Sequence, residues 1–176
     1  CIRDRVLRMI HKKILIAGFL EQTRNYCAAF SLLGADTSVL CGTNRELSLL
    51  LADGRLPDPA DFDGLVLPGG ESTVQGKLLK DLGLFSSLKE RIEEGMPVLA
   101  TCAGLILLAE RLESDSTVWL GTLPVTVRRN AYGRQLGSFH AYGSFGEMDN
   151  VPMTFIRAPF ITEVRKGCNV LATCKG

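Results

Sequence analysis

Residues 97–104 read Pro-Val-Leu-Ala-Thr-Cys-Ala-Gly, and the fold predicted for the chain follows from this stretch. The apolar residues before Thr101 are typical of a buried strand, and residues 105–112 continue as an apolar helical segment. Cys102 therefore lies where a strand bends into a helix. Small residues at Ala100 and Gly104 allow a sharp turn, as in the nucleophile elbow of hydrolases. At a helix N-terminus the unpaired N–H groups and the dipole favour the reactive thiolate, so Cys102 is a candidate nucleophile.

Other buried strands precede this one in the sequence. Continuous apolar runs predict strands at residues 13–18, 37–41 and 64–67. Helical spacing of apolar residues predicts a helix over residues 21–33 and a second helical stretch from Ser72 to Gly95. Strands that alternate with helices predict an α/β fold, with a three-layer, mostly parallel central sheet and helices on both faces.

The start of the second helical stretch has the form of a capping box. In this interpretation, the Ser72 hydroxyl and the Gln75 amide satisfy free N–H groups at the beginning of the helix. The loop just before it contains Gly69 and Gly70. Ligands of parallel α/β sheets bind beyond the carboxyl ends of the strands, and both this loop and Cys102 fall at such ends.

From Val118 onward the pattern is rich in predicted strands and contains no linker long enough to separate two domains. We therefore predict one domain over residues 13–176, with a β-rich C-terminal part, after a basic lead at residues 1–12 that we expect to be disordered. The predicted C-terminal strands cover residues 118–120, 125–127, 138–139, 154–156 and 169–172.

Composition excludes several classes of protein. Hydrophobic residues make up 46% of the 176 residues and charged residues 22%, which is typical of a soluble globular protein. The net charge of +1 argues against a nucleic-acid partner. The longest apolar run, about a dozen residues from Val98 to Ala109, is shorter than the roughly 20 that a membrane span needs. We expect neither nucleic acid nor membrane as a partner.

The cysteine pattern bears on redox compartment and metal binding. The six cysteines form no CxxC pair, and the sequence shows no signal peptide, so we expect reduced thiols in the cytoplasm rather than disulfides. The only histidines, His11 and His140, lie far from any cysteine pair. We therefore expect no metal and no cofactor.

Two features admit a structural interpretation as well as a chemical one. A cysteine with apolar neighbours is more often a packing residue than a nucleophile. Pro68-Gly69-Gly70 is also compatible with a simple tight turn. The chemical alternative is an oxyanion hole, because glycine lets backbone N–H groups approach a reacting carbonyl.

Four segments together carry a resemblance to a known family. They cover residues 67–73 (LPGGEST), 101–105 (TCAGL), 129–135 (RNAYGRQ) and 155–159 (FIRAP). In this order and spacing they closely resemble the glutaminase subunit of pyridoxal 5′-phosphate synthase, a class I (triad) glutamine amidotransferase with a flavodoxin-like fold. The resemblance runs from about Lys13 to the end.

The resemblance implies an activity and a site. Cys102 is expected to attack the side-chain amide of L-glutamine, giving a γ-glutamyl thioester and ammonia, after which water releases glutamate. The family passes this ammonia to a synthase (lyase) subunit, with which it forms a hetero-oligomer. The implied oxyanion donors are the backbone amides of Gly70 and Ala103. The residues implied to hold glutamine are Gly70, Glu71, Ser72, Arg129, Ile156 and Arg157.

The chain departs from the family pattern at three places. Ala100 replaces a glycine and keeps the position small. Ala17-Gly18 replaces Gln-Gly in a loop that lies near the site in the family. The base and its orienting acid form a His-Pro-Glu segment beyond the last family strand, whereas this chain ends at Cys174-Lys175-Gly176. We therefore expect the family domain to be truncated and turnover to be slight.

Neither histidine of this chain matches the family base, and each is compatible with an ordinary surface residue. An alternative function is therefore a catalytically impaired module that binds glutamine or docks on the synthase subunit. A third is an amidotransferase of another pathway, although residues 129–135 argue against it.

Overall fold

The computed structural model describes residues 12–18, 23–40, 52–54, 56–113, 115–129, 139–155 and 159–173. The chain forms two compact units, residues 1–107 and residues 108–176. The predicted lead at residues 1–12 lies, except for Lys12, outside the described residues, as does the segment from 41 to 51.

The first unit is built on a sheet of four parallel strands in the order β2-β1-β3-β4. The strands are β1 (Lys13–Ala17), β2 (Asp36–Leu40), β3 (Gly64–Leu67) and β4 (Val98–Ala100). All four residues of β3 are buried, as are the last four of β1, because these two strands occupy the middle of the sheet. The parallel sheet predicted from the apolar runs is confirmed.

Within the described ranges, α-helices follow β1, β3 and β4. They are α1 (Thr23–Leu32), α2 (Ser72–Asp81), α3 (Phe85–Glu93) and α4 (Ala103–Leu108). Tyr26, Cys27 and Phe30 on α1 pack against a core cluster that includes Ile14 and Val66, as their helical spacing predicts. No helix in the described ranges is long and apolar enough to cross a membrane.

Two helix predictions are wrong in detail. The stretch from Ser72 to Gly95 is broken at residues 82–84, where Gly83 has a φ of +71° and ends α2. The apolar segment at 105–112 is helical only to Leu108, after which the chain enters a strand. In both places apolar residues recur beyond the end of the helix (Leu84 in the first, Leu112 in the second), so periodicity alone does not show the boundary.

The second unit contains a three-stranded sheet and a separate hairpin. The sheet consists of β5 (Ala109–Leu112), β6 (Leu123–Arg128) and β9 (Phe160–Val164), with β5 parallel and β9 antiparallel to the central β6. The hairpin consists of β7 (Phe139–Phe145) and β8 (Met148–Phe155), and the rings of Phe139 and Phe155 stack across it. The predicted β-rich C-terminal part is confirmed.

Two of the predicted C-terminal strands are wrong. Residues 118–120 and 169–172 form no strand. Of the other predicted segments, residues 125–127 lie in β6, residue 139 in β7 and residues 154–155 in β8. Val118, Val170 and Leu171 are at least half exposed. β-Propensity depends on packing and pairing, so it does not reveal that these two short, exposed segments remain irregular.

Candidate active site

Cys102 occupies a strained bend between β4 and α4. Its φ is +48°, a left-handed conformation that costs a residue with a side chain about 1–2 kcal/mol. The thiol is free and half-buried. Strain of this kind is concentrated at functional sites, where surrounding contacts hold it in place. The predicted bend from strand to helix at this cysteine is confirmed.

Contacts with the end of β3 hold the bend. The Thr101 N–H donates to the carbonyl oxygen of Leu67 at 3.0 Å, and the Gly104 N–H donates to the carbonyl oxygen of Thr101 at 2.9 Å. A Cβ atom on Gly104 would overlap the carbonyl group of Leu67. The glycine is therefore required because the start of α4 lies directly against the β3 backbone.

A hydrogen bond from the first helix also reaches the bend. The Tyr26 hydroxyl lies 2.8 Å from the Thr101 hydroxyl oxygen, in a partly buried position. The sequence offers no indication of this contact, since the two residues are 75 positions apart.

The glycine loop follows the strand next to β4. Leu67 pairs with Ala100, so the loop after β3 and the bend after β4 leave the sheet at the same edge. Gly70 has a φ of +143°, where a side chain would be strained. Ala103 is the first residue of α4, and its N–H has no acceptor one turn back in the helix. The structure thus brings Cys102, Ala103 and the glycine loop to one edge of the sheet.

The loop after β1 contacts the glycine loop. A Cβ atom on Gly18 would lie 2.6 Å from Cγ of Pro68 and 2.9 Å from Cγ2 of Thr23. The departure at Ala17-Gly18 is therefore close to the candidate site, as expected from the resemblance. Residues 19–22 lie outside the described residues.

The start of α2 differs from the predicted capping box. The N-cap is Glu71, whose carboxylate accepts a hydrogen bond from the Val74 N–H at 2.8 Å, and Ser72 is the first helical residue and is buried. Gln75 does not reach back to cap the helix. Its side-chain amide donates instead to the carbonyl oxygens of Pro68 and Gly69. The sequence predicts Gln75 as a capping residue because Ser72 and Gln75 have the spacing of a capping box.

Arg129 directly follows β6 in the second unit. Its guanidinium forms an ion pair with Asp115 at 3.3 Å, and its side chain is 27% exposed. The pKa of Asp115 is lowered from its usual 3.8, chiefly by hydrogen bonds from Thr117 and further by the charge of Arg129. The other two residues implied to bind substrate in this part of the chain, Ile156 and Arg157, lie outside the described residues.

His140 lies on β7, and its Nδ1 is 2.9 Å from the hydroxyl oxygen of Thr154 on β8. It is exposed, in agreement with the prediction of an ordinary surface histidine. His11 lies outside the described residues. Within the described ranges, no group of three or more His, Cys, Asp and Glu residues is arranged to hold a metal ion.

A groove of about 380 Å³ lies along β1, β3 and β4, and its lining does not include Cys102 or the glycine loop. It is formed at the amino ends of three strands by residues that include Ile14, Gly64 and Val98, together with Lys12 and Asp63. It is mainly apolar, and the described residues that line it include no cysteine, serine or threonine. The candidate nucleophile Cys102 and the glycine loop instead follow the carboxyl ends of β4 and β3.

A parallel α/β sheet with a cysteine at a left-handed bend after one strand and a glycine loop after the neighbouring strand is the architecture expected of a glutamine amidotransferase. A solved structure described as a glutamine amidotransferase matches with a TM-score of 0.73 and 30% identity, over 92% of this chain and 79% of that one. The profile of the SNO glutamine amidotransferase family matches residues 52–176. The chain therefore belongs to the SNO glutamine amidotransferase family.

Similar curated proteins carry the name pyridoxal 5′-phosphate synthase subunit PdxT. The protein from Desulfitobacterium hafniense strain Y51 is 62% identical over 116 residues, which are 66% of this chain and 58% of the relative. The protein from Methanocorpusculum labreanum is 60% identical over 114 residues, which are 65% of this chain and 60% of the relative. The chain thus spans about three fifths of the length of these relatives.

Proposed function

We propose that this chain hydrolyses L-glutamine to L-glutamate and ammonia, and that it delivers the ammonia to the synthase subunit of pyridoxal 5′-phosphate synthase in the cytoplasm, without a cofactor. The observation that carries the proposal is the left-handed Cys102 beside the glycine loop. The family membership and the PdxT relatives support it.

The reaction begins at the sulfur of Cys102. Its thiolate attacks the side-chain amide carbon of glutamine and forms a C–S bond, which places a negative charge on the former carbonyl oxygen. The C–N bond then breaks, the nitrogen takes up from water the proton that the thiol released on ionising and leaves as ammonia, and a γ-glutamyl thioester remains. Water hydrolyses the thioester to glutamate and restores the thiol.

The oxyanion is assigned to the N–H groups of Gly70 and Ala103. Both groups belong to segments at the carboxyl edge of the sheet, and Ala103 is free of an intrahelical acceptor. Losing one donor of this kind costs catalysis about 3–4 kcal/mol. These two amides therefore account for a large part of the rate enhancement in the proposed reaction.

The residues proposed for glutamine recognition belong to two parts of the sequence. Gly70, Glu71 and Ser72 lie at the start of α2, and Arg129, Ile156 and Arg157 complete the set. A guanidinium binds an α-carboxylate through two parallel hydrogen bonds. The ion pair with Asp115 restricts the orientations of the Arg129 side chain before substrate binds, which reduces the entropy lost on binding.

The test combines ammonia release with the mass of the intact protein. The full chain is incubated with L-glutamine, with and without the synthase subunit, and compared with Cys102→Ala. We expect an adduct of one γ-glutamyl group on the chain and ammonia release, both lost in Cys102→Ala. Cys27→Ala serves as the matched control, because Cys27 lies on α1 and packs against the core cluster.

The same experiment separates the alternatives. Glutamine binding or co-purification with the synthase subunit, without adduct or ammonia, would identify a non-catalytic module. Ammonia release without any affinity for the synthase subunit would instead indicate an amidotransferase that serves another pathway.

A further inference from the structure

Gln75 lies on the buried face of α2 and is only 3% exposed. Buried polar side chains normally have hydrogen-bond partners, so their contacts indicate their role. The Nε2 group of Gln75 donates to the carbonyl oxygen of Gly69 at 3.2 Å and, more weakly, to that of Pro68 at 3.4 Å. Gln75 is thus attached to the loop that contains Gly70, the proposed oxyanion donor.

The bond to Gly69 sets the direction of the Gly70 N–H. The carbonyl group of Gly69 and the N–H of Gly70 belong to one peptide unit, and the described part of the chain contains no cis peptide bond. In a trans peptide the C=O and the N–H point in opposite directions. Because the Gly69 oxygen points toward buried Gln75, the Gly70 N–H points away from it, to the side where Gly70 and Glu71 are exposed.

Stability does not explain a glutamine at this position. Its Oε1 atom is buried and has no hydrogen-bond partner among the described residues. An unpaired buried amide oxygen is unfavourable, and an apolar side chain of similar length would avoid it. The orientation of the amide is nonetheless fixed, because both neighbouring groups are carbonyl oxygens and only Nε2 can donate to them.

We propose that Gln75 is a positioning residue that holds the peptide between Gly69 and Gly70 with its N–H directed toward the substrate. The hydrogen bonds of Gln75 are to the loop, at the carbonyl oxygens of Pro68 and Gly69. Gln75 acts through the Gly70 amide, and this assignment rests on the proposed glutamine cleavage.

The first test replaces the donor while keeping the length of the side chain. In Gln75→Met, we expect the rate of thioester formation at saturating L-glutamine to fall about 10- to 100-fold, somewhat less than the loss of a whole oxyanion donor. The half-saturating glutamine concentration should stay within about threefold of the original, because the interaction is made in the transition state. Leu78→Met, on the buried face of the same helix, is the control and should leave both values unchanged.

A second reagent distinguishes positioning from general damage. Iodoacetamide alkylates Cys102 by displacing iodide and forms no oxyanion, so its rate with Gln75→Met should equal that of the unaltered chain. Parallel losses in alkylation rate, thioester formation and Tm would show that Gln75 has only a structural role, and would overturn the proposal.

Gln75→Glu adds a pH signature. A protonated glutamate can donate to the Gly69 oxygen, whereas the ionised form repels it, and burial raises the pKa of a carboxyl group. Thioester formation by this variant should therefore recover as the pH is lowered, relative to Gln75→Met. A pH profile with the same shape for both variants would contradict the assigned donor role.

A readout without catalysis keeps this inference separate from the proposed function. In protein labelled with 15N-glycine, Gln75→Met should shift, broaden or double the Gly70 amide resonance and leave that of Gly64 unchanged. An unaltered Gly70 resonance overturns the positioning role whatever the activity. A changed resonance in a chain that never forms a thioester refutes the glutamine cleavage and leaves the role of Gln75 in the loop intact.

Discussion

The hydroxyl groups of Tyr26 and Thr101 lie 2.8 Å apart and join α1 to the residue that precedes the candidate nucleophile. This contact links two elements that are distant in sequence. A hydrogen bond in a partly buried place contributes about 1 kcal/mol to stability.

We predict that Tyr26→Phe and Thr101→Val each lower the free energy of unfolding by about 1 kcal/mol. The double variant should lose less than the sum of the two, because both changes remove the same hydrogen bond. Urea unfolding of the four proteins measures this coupling. Strictly additive losses would mean that the two hydroxyl groups do not interact in solution.

The left-handed backbone at Cys102 gives a prediction about stability that is independent of catalysis. Glycine adopts a φ of +48° without the penalty of a side chain. Cys102→Gly should therefore be more stable than Cys102→Ala by about 1 kcal/mol, although glycine normally makes the unfolded chain more favourable. Chemical denaturation of the two variants provides the comparison, and a more stable alanine variant would argue against the left-handed bend.

Gly104→Ala should destabilise the first unit strongly. The added Cβ would overlap the Leu67 carbonyl group, which belongs to the backbone of a buried strand and cannot move aside. We expect a loss of about 3 kcal/mol or more, at the upper end of the effects of overpacking. Gly64→Ala is the matched control, because its Cβ would meet the flexible tip of Ile14 at 3.1 Å. Comparable losses in the two variants would refute the close approach of α4 to β3.

Asp63 makes part of the stability dependent on pH. Hydrogen bonds from the Lys12 side chain and the Lys13 N–H lower the pKa of its carboxyl below the usual 3.8. A lowered pKa means that the stabilisation is present above 3.8 and is lost as the pH falls through the folded-state pKa.

Asp63→Asn should therefore lower Tm at neutral pH, and the difference from the unaltered chain should vanish in strong acid. The effect should be below about 1 kcal/mol, because both partners are partly exposed to solvent. Thermal unfolding between neutral and acidic pH measures it. A Tm difference between the two proteins that grows as the pH falls would contradict the lowered pKa of Asp63.

Arg129 provides a test of glutamine recognition. Arg129→Lys keeps the charge but loses the planar fork, so we expect the half-saturating concentration of L-glutamine to rise about tenfold. Arg128→Lys is the control, since Arg128 is an adjacent arginine paired with Glu113 in an exposed position. Isothermal titration of the Cys102→Ala protein with glutamine measures affinity without turnover. Equal effects of the two substitutions would remove Arg129 from the proposed site.

Much of the fold is predictable, because particular residues mark the ends of several strands and helices unambiguously. Strand β3 has its predicted bounds because Gly64 and Pro68 enclose a continuous apolar run. The bend at Cys102 is also predictable, since small residues surround a change from strand to helix. The end of α4 is not, because the apolar run through Ala109, followed by Leu112, suits a helix and a strand equally well.

The candidate site likewise contains residues that the sequence indicates and contacts that it does not. The sequence indicates Cys102 and the glycine loop, because nucleophiles and glycines leave recognisable patterns. It does not indicate the partner of Tyr26 or the target of Gln75, since both depend on which loops the sheet brings together. The ion pair between Arg129 and Asp115 likewise depends on the fold of the second unit.

The start of α4 against the β3 backbone has an evolutionary consequence. Leu67, Gly70 and Gly104 belong to one uninterrupted stretch, so a single inherited block of sequence contains both surfaces of this tight contact. Recombination between homologous genes keeps these surfaces matched when the crossover points lie outside the block. A chimera joined within it combines two backbones that were never selected to fit, and a misplacement of about 1 Å at a reacting group costs roughly 100-fold in rate.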